Sequence, residues 1–505
     1  MNSRFARCAA AAFVLLAAAA PALAAASREG RDDYERDFSK TIAVKPGQRF
    51  DIDHSQGAVR ITTHALPEVR IRAHVAVSTS ASGEAKTFGD EIAISVEETA
   101  AAIFVKTRYP EKKWRFSGSG FVSYSVDFDI ILPETMALSA HNKFGDVSVE
   151  GLKAAGSIAN ANGKVVFRNG RGDQRIENAF GAIELTSNAG NVEISGSNGS
   201  ITVNDVAGAA QVRNRFGPIA TARVLGKLTI SGSNGAVSVN DAKGPVSVAN
   251  SFGSVEARNL AASLEVENSN GAVSADTIKG AATVRSSFGS VVMSGVGGDL
   301  SVTCSNGGIS VNDVGGAAEL RGSFAKISAT NVKKGLRIMA ENAPVSATDV
   351  LGGAYLKTSF GLAEAVRVTG DLTVENSNGA VKAQGIRGAA RVRTSFGSVW
   401  LQDVAGKVDV ENSNGGIEVS AAGGKGAECQ PMALRTSFGP ITIRLPEGAG
   451  YTVEAKTSFG RIKTELPLSV AGSLSSESLN GRIGDGKCPL TLTDSNGSID
   501  ILKGN

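Results

Sequence analysis

Apolar positions recur along this chain in steps of two, the period of a strand, and fixed glycine corners break the steps. From Phe144 to Asn414, every eighteenth residue is Phe or Asn in strict alternation, and Gly follows each one except at Ala325 and Ala343. Counting each Phe or Asn as position zero, positions three, five and eight are apolar, as in Val237, Val239 and Ala242. Position ten is usually Gly, as in Gly226 and Gly244, and positions twelve and fourteen are apolar again, as in Leu264 and Val266. Each unit therefore predicts a short strand, a glycine turn, a second strand and an Asn-Gly or Phe-Gly corner, with Gly supplying backbone angles at both corners. A fixed short period over such a length means a repeat architecture. The expected fold class is all-β: a β-solenoid, or β-helix.

The alternation makes the chemical repeat twice eighteen residues, but the outward position fifteen sets the physical coil. Up that column stand Glu267, Arg285, Thr303 and Arg321, then Lys357, Glu375, Arg393 and Glu411. An 18-residue coil places opposite charges on neighbouring rungs ~4.8 Å apart, whereas the doubled coil stacks like on like, which destabilises a sheet. The 18-residue coil predicts about twenty coils and a rod on the order of 90 Å long. The Phe and Asn column is expected to face the core, with Phe252, Phe288, Asn270 and Asn306 as buried structural residues.

The flanks keep the strand period but lose the register. Residues 27–140 alternate at Phe50, Ile52, Val59, Ile61, Val69 and Ile71, and Ser55-Gln56-Gly57-Ala58-Val59 anticipates the repeat. They predict a first coil near residue 56 and an excursion that forms an N-terminal β-rich cap, since an open solenoid end exposes core and strand edges. Residues 141–420 are the regular solenoid, and 421–505 an irregular C-terminal solenoid and cap with an inserted loop around Cys429. Residues 1–24 predict a signal peptide: Arg4 and Arg7, an apolar run over 9–20, then Ala22-Leu23-Ala24, with cleavage after Ala24 or Ala26. The run is too short to span a bilayer and no later segment is apolar enough, so the expected location is exported: periplasm, cell surface or extracellular.

The units Ser233-Asn234-Gly235-Ala236-Val237 and Ser251-Phe252-Gly253-Ser254-Val255, the leading Val44-Lys45-Pro46-Gly47 and the Leu132-Pro133 boundary resemble the bacterial putative-adhesin family of β-strand-repeat envelope proteins, a domain family of unknown function. The resemblance covers roughly residues 40–500 and implies binding; no catalytic residues transfer from it.

A net charge of +3 gives no case for nucleic acid as partner. The four histidines, His54, His64, His74 and His141, have no metal-ligand spacing and read as surface or turn residues. Arg171-Gly172-Asp173 spells a cell-attachment tripeptide, but Gly172 is also the position-ten turn glycine. The Asn-Asp pairs 204–205, 240–241 and 312–313 lack the spacing of calcium-binding solenoids and read as turn chemistry. No long loop, acid/base carboxylate pair or Ser/His/Asp arrangement falls in the regular coils, so no enzyme, cofactor or metal site is expected. Of the three cysteines outside the signal peptide, Cys304 falls in phase with the core as a buried thiol, and Cys429 with Cys488 is the candidate disulfide, within reach through the inserted loop. The expected function is a non-catalytic exported β-solenoid with adhesin-like surface or glycan binding. A structural spacer or scaffold of the envelope is the alternative, and a polysaccharide-active enzyme ranks third. Cell-surface glycans or envelope proteins are the partners this implies.

Overall fold

The computed structural model describes residues 31–80, 83–110, 122–422, 429–470 and 475–504. The predicted signal peptide and residues 423–428 of the insert lie outside them. The chain forms a β-solenoid of about 16 turns with about 18 residues per coil. Each turn supplies one strand to each of two sheets, for example Val255–Leu260 to the first and Leu264–Asn270 to the second. Rungs stack parallel and in register: Asn270 lies beside Phe252 and Phe288, and Glu267 beside Arg285. The charge column thus alternates in sign on adjacent rungs, with Arg285 3.6 Å from Glu267 and Arg393 3.0 Å from Glu411.

The core is a narrow seam of Val, Ile, Leu and Ala from both sheets, continuous from Ile42 to Ile501. The turn between the two strands follows position seven, which is left-handed in coil after coil, from Asn169 (φ 58°) to Asp403 (φ 55°). Asn and Asp tolerate that conformation, which accounts for Asp205, Asp241 and Asp313. The position-ten glycine serves close approach instead: a Cβ on Gly244 would stand 2.3 Å from the Gly226 carbonyl oxygen. Thr277 occupies the left-handed position at φ 58° although it is β-branched. Thr277→Asn is therefore expected to raise stability by about 1 kcal/mol, read by chemical denaturation; unchanged or lower stability would contradict that account of the turn.

The predicted interior column is corrected. Phe252 and Phe288 are each 54% exposed, Asn306 is exposed and Asn270 only half-buried. The inner seat at the corner belongs to position sixteen: Asn160, Asn178, Asn214, Asn250, Asn268, Asn376 and Asn412 are buried there. The Asn268 side-chain amide donates to the Gly253 and Gly271 carbonyl oxygens of two adjacent corners, 3.2 and 2.9 Å away. The corner has room for one inward side chain, and the amide takes it because it satisfies backbone acceptors that the turn leaves unpaired. Cys304 sits in the same column, fully buried, its Sγ 3.3 Å from the Gly289 carbonyl oxygen; burial pushes the thiol pKa up.

Both ends are closed by chain that leaves the coil. At the N-terminal end, Arg49–Asp53 and Val59–His64 stack directly on the rung at 138–150. The strands Val122–Pro133, Glu68–Thr79 and Asp32–Ala43 extend the first sheet, and a helix, Glu84–Glu91, packs on the last two of these. At the C-terminal end the spatial order departs from chain order. Cys488–Thr493 pairs with Met432–Arg435 on one side and with Tyr451–Lys456 on the other, so a later segment lies between two earlier ones. Cys429 and Cys488 are thereby on adjacent rungs and form a disulfide with Cα atoms 5.8 Å apart. Rung adjacency, rather than the loop's reach, brings them together.

The histidines are also partly corrected. His54 is buried in the cap, its Nδ1 3.0 Å from the Thr107 hydroxyl and its ring edge-on to Phe128. Burial lowers its pKa to about 4. Because the folded value lies below the ordinary 6.5, the neutral ring stabilises the fold above pH 6.5, and that contribution is lost as pH falls towards 4. Acid is therefore expected to remove about 3 kcal/mol across this window, with the slope absent in His54→Gln; identical acid profiles would contradict the assignment.

Candidate binding surfaces

Two surfaces stand out on the rod, and both follow from how outward positions line up when rungs stack in register. The first is a trough on the outer face of the second sheet, next to the N-terminal cap. Its wall is the hairpin Ala93–Glu98 and Ala102–Arg108, which continues the sheet beyond Arg49–Asp53. Its floor is made of small side chains on successive rungs: Ser139, Ala159, Ala161, Ala179 and Ser195. Small residues here and long ones on the hairpin hollow out a trough of about 940 Å³. It crosses seven strands, from Ser95 to Ser197, and so runs along the rod for about 29 Å.

Four basic residues (Arg49, Lys106, Arg108, Lys143) and four acidic ones (Asp51, Asp53, Glu97, Glu177) line the trough, so its formal charge balances. Arg49 pairs with Asp51 and Lys106 with Asp53, both at 2.8 Å. Arg108 and Lys143 have no ion-pair partner among the described residues. His141 is exposed on the floor and Phe104 presents an apolar side chain from the hairpin. Donors, acceptors, hydroxyls and one aromatic ring along a balanced trough suit an elongated polar ligand better than a polyanion.

The second surface is the corner ridge. In the regular coils each Phe is 48–63% exposed; serines flank Phe252, Phe288 and Phe396, whereas Lys143 and Arg215 precede Phe144 and Phe216. Gly253, at φ +119°, makes the corner, and a Cβ there would stand 2.3 Å from the Gly235 carbonyl oxygen. Several of the Asn residues between the Phe residues are tied down. The Asn162, Asn270, Asn306 and Asn414 side-chain amides each donate to a backbone carbonyl of the preceding rung, at 3.2 to 3.4 Å. The Phe residues therefore project singly, one per two rungs, ~9.6 Å apart. Where Ala325 and Ala343 replace the corner Gly, the Asn342 N–H still donates to Ser323 O, as the Phe438 N–H does to Ser413 O at a glycine corner. The alternation outlasts the break in chain order: the column ends Asn414, Phe438, Asn496, Phe459 in space.

The tripeptide at 171–173 resolves into scaffold. A Cβ on Gly172 would stand 2.2 Å from the Ala154 carbonyl oxygen, and the Asp173 carboxylate accepts the Asn191 N–H at 2.9 Å. Asp299 and Asp371 accept the equivalent N–H of the next rung. Among the described residues no group of three His, Cys, Asp or Glu could hold a metal ion, and no helix is long and apolar enough to cross a membrane.

Residues 295–502 match the family described as Toastrack DUF4097. No curated protein sequence matches the chain. A solved structure described as a "putative cell adhesion protein" from Clostridium sporogenes aligns with 43% of this chain and all of its own, at 11% identity and a TM-score of 0.20.

Proposed function

We infer, for a chain whose residues 295–502 carry the Toastrack DUF4097 pattern, a non-catalytic exported rod that binds glycans or glycan-bearing surfaces, adhesin-like, through the trough beside its N-terminal cap. The observation that carries this reading is the direction of the trough. It runs along the rod axis over seven strands, with small residues as its floor. A linear polymer can lie in it, meeting hydroxyl and charged groups at rung spacing and an aromatic wall at Phe104. Balanced charge favours hydrogen bonding to sugar hydroxyls over the counter-ion release that drives polyanion binding.

The test is incubation with insoluble envelope glycans, scored for retention and for cleavage. Retention without cleavage is expected for the wild type. Ala161→Trp fills the floor of the trough and is expected to abolish retention while leaving thermal unfolding unchanged. Cleavage would overturn the non-catalytic reading. Absence of retention would leave a spacer or scaffold of the envelope as the function.

A further inference from the structure

We propose that the corner ridge is a zipper between two copies of this chain, packed side by side and antiparallel, with the Phe side chains of each copy entering the gaps of the other. This goes beyond the glycan reading and involves a different surface: the ridge lies at the corner, the trough on the outer face of the second sheet.

Area is the first argument. Ten Phe residues from Phe144 to Phe459 stand exposed in one column. A fully covered Phe buries 150–250 Å², so half-exposed ones leave roughly 1,000 Å² of apolar surface per copy. Two copies together would bury roughly 2,000 Å², at the upper end of what stable specific interfaces bury. Singly exposed apolar side chains are ordinary, but ten of them in one column at a fixed spacing form an array that a partner of the same period covers together.

Period is the second. A gap between successive Phe residues measures ~9.6 Å, and one inserted ring halves it to ~4.8 Å. Aromatic pairs prefer centroids 4.5–7 Å apart, so the gap accepts one ring. A partner must hold that spacing along the whole column, and a second copy does so by construction. At the gaps held by Asn270 and Asn306 the side-chain amide is bonded to the preceding rung, which keeps the gap open. The serines that flank Phe252, Phe288 and Phe396 let two ridges approach there. An antiparallel pair related by a two-fold axis closes on itself, whereas a parallel, staggered pair would leave unpaired ridge to recruit further copies. Asn496, placed between Phe438 and Phe459 by a segment out of chain order, preserves the spacing where sequence repetition alone does not.

The test is sedimentation of the full exported chain at micromolar concentration. The wild type is expected at twice the chain mass. Phe216→Ser, Phe252→Ser and Phe288→Ser combined are expected to give monomer with unchanged circular dichroism. A gap-filling variant, Asn234→Phe with Asn270→Phe, separates a zipper from unspecific stickiness: it adds exposed aromatic surface yet is expected to weaken pairing at least tenfold. A wild type that is monomeric throughout, a triple-serine variant that still dimerises, or a gap-filled variant that associates more tightly would each overturn the proposal. A monomeric wild type whose glycan retention is lost in the triple-serine variant would assign the ridge to a glycan instead. None of these outcomes alters the Ala161→Trp result, so the two readings fail separately.

Discussion

Replacing Phe167 by alanine is expected to cost about 3–5 kcal/mol, while the same change at Phe252 costs less than about 1 kcal/mol. Both are Phe in one solenoid, but Phe167 lies at position five, fully buried between the sheets, and Phe252 lies on the ridge with half its surface in water. Truncating the first leaves a cavity in a seam one side chain wide. Truncating the second leaves the Asn268 amide and its two carbonyl partners untouched. Because coils touch only their neighbours, the Phe167 loss stays regional, and hydrogen exchange is expected to show lost protection confined to nearby rungs. Equal costs at the two sites would undo the assignment of inside and outside.

Cys488→Ser is expected to destabilise the C-terminal end by about 4 kcal/mol, from the freedom regained by a loop with a sequence separation of 59 residues. The rungs on the N-terminal side are expected to keep their melting behaviour, giving two transitions where the wild type has one. Thiol labelling of the unreduced chain lacking the predicted signal peptide, and with it Cys8, checks the pairing independently. No thiol reacts while folded, and one, Cys304, reacts after denaturation; three after denaturation would exclude the bridge.

The period, the strand–turn–strand unit and the coil length were legible because each follows from spacing alone. The orientation of the Phe column was not, although the signal was present. Position sixteen and the next position three both point inward and are five residues apart, an odd number that strict alternation cannot bridge. One residue between them must break phase, and Phe or Asn before a left-handed glycine is where it breaks. The buried Asn at position sixteen marks the same point, since an amide inside a corner has backbone acceptors to satisfy. The trough could not be read, because it arises from how the cap hairpin extends the second sheet, a contact between segments with no shared repeat. Nor could the order of the last rungs, since strands of similar pattern can stack in more than one order at similar cost.

That order makes residues 488–503 a keystone. From Leu138 to Leu445 the rod can lengthen by zipping, each rung docking on one that precedes it by 18 residues, or 24 at the insert. The rung at 451–464 cannot finish this way, because its place is one rung further out and the intervening space belongs to chain that follows it. Folding is therefore expected in two kinetic phases: rapid local propagation, then a slower closure of high contact order that seats the keystone and, in an oxidising compartment, latches it through Cys429. Stopped-flow refolding that reports a single phase at both ends would contradict this. Until the latch closes, the growing rod presents a live strand edge, so the delay before closure is the interval in which one unfinished rod can template another.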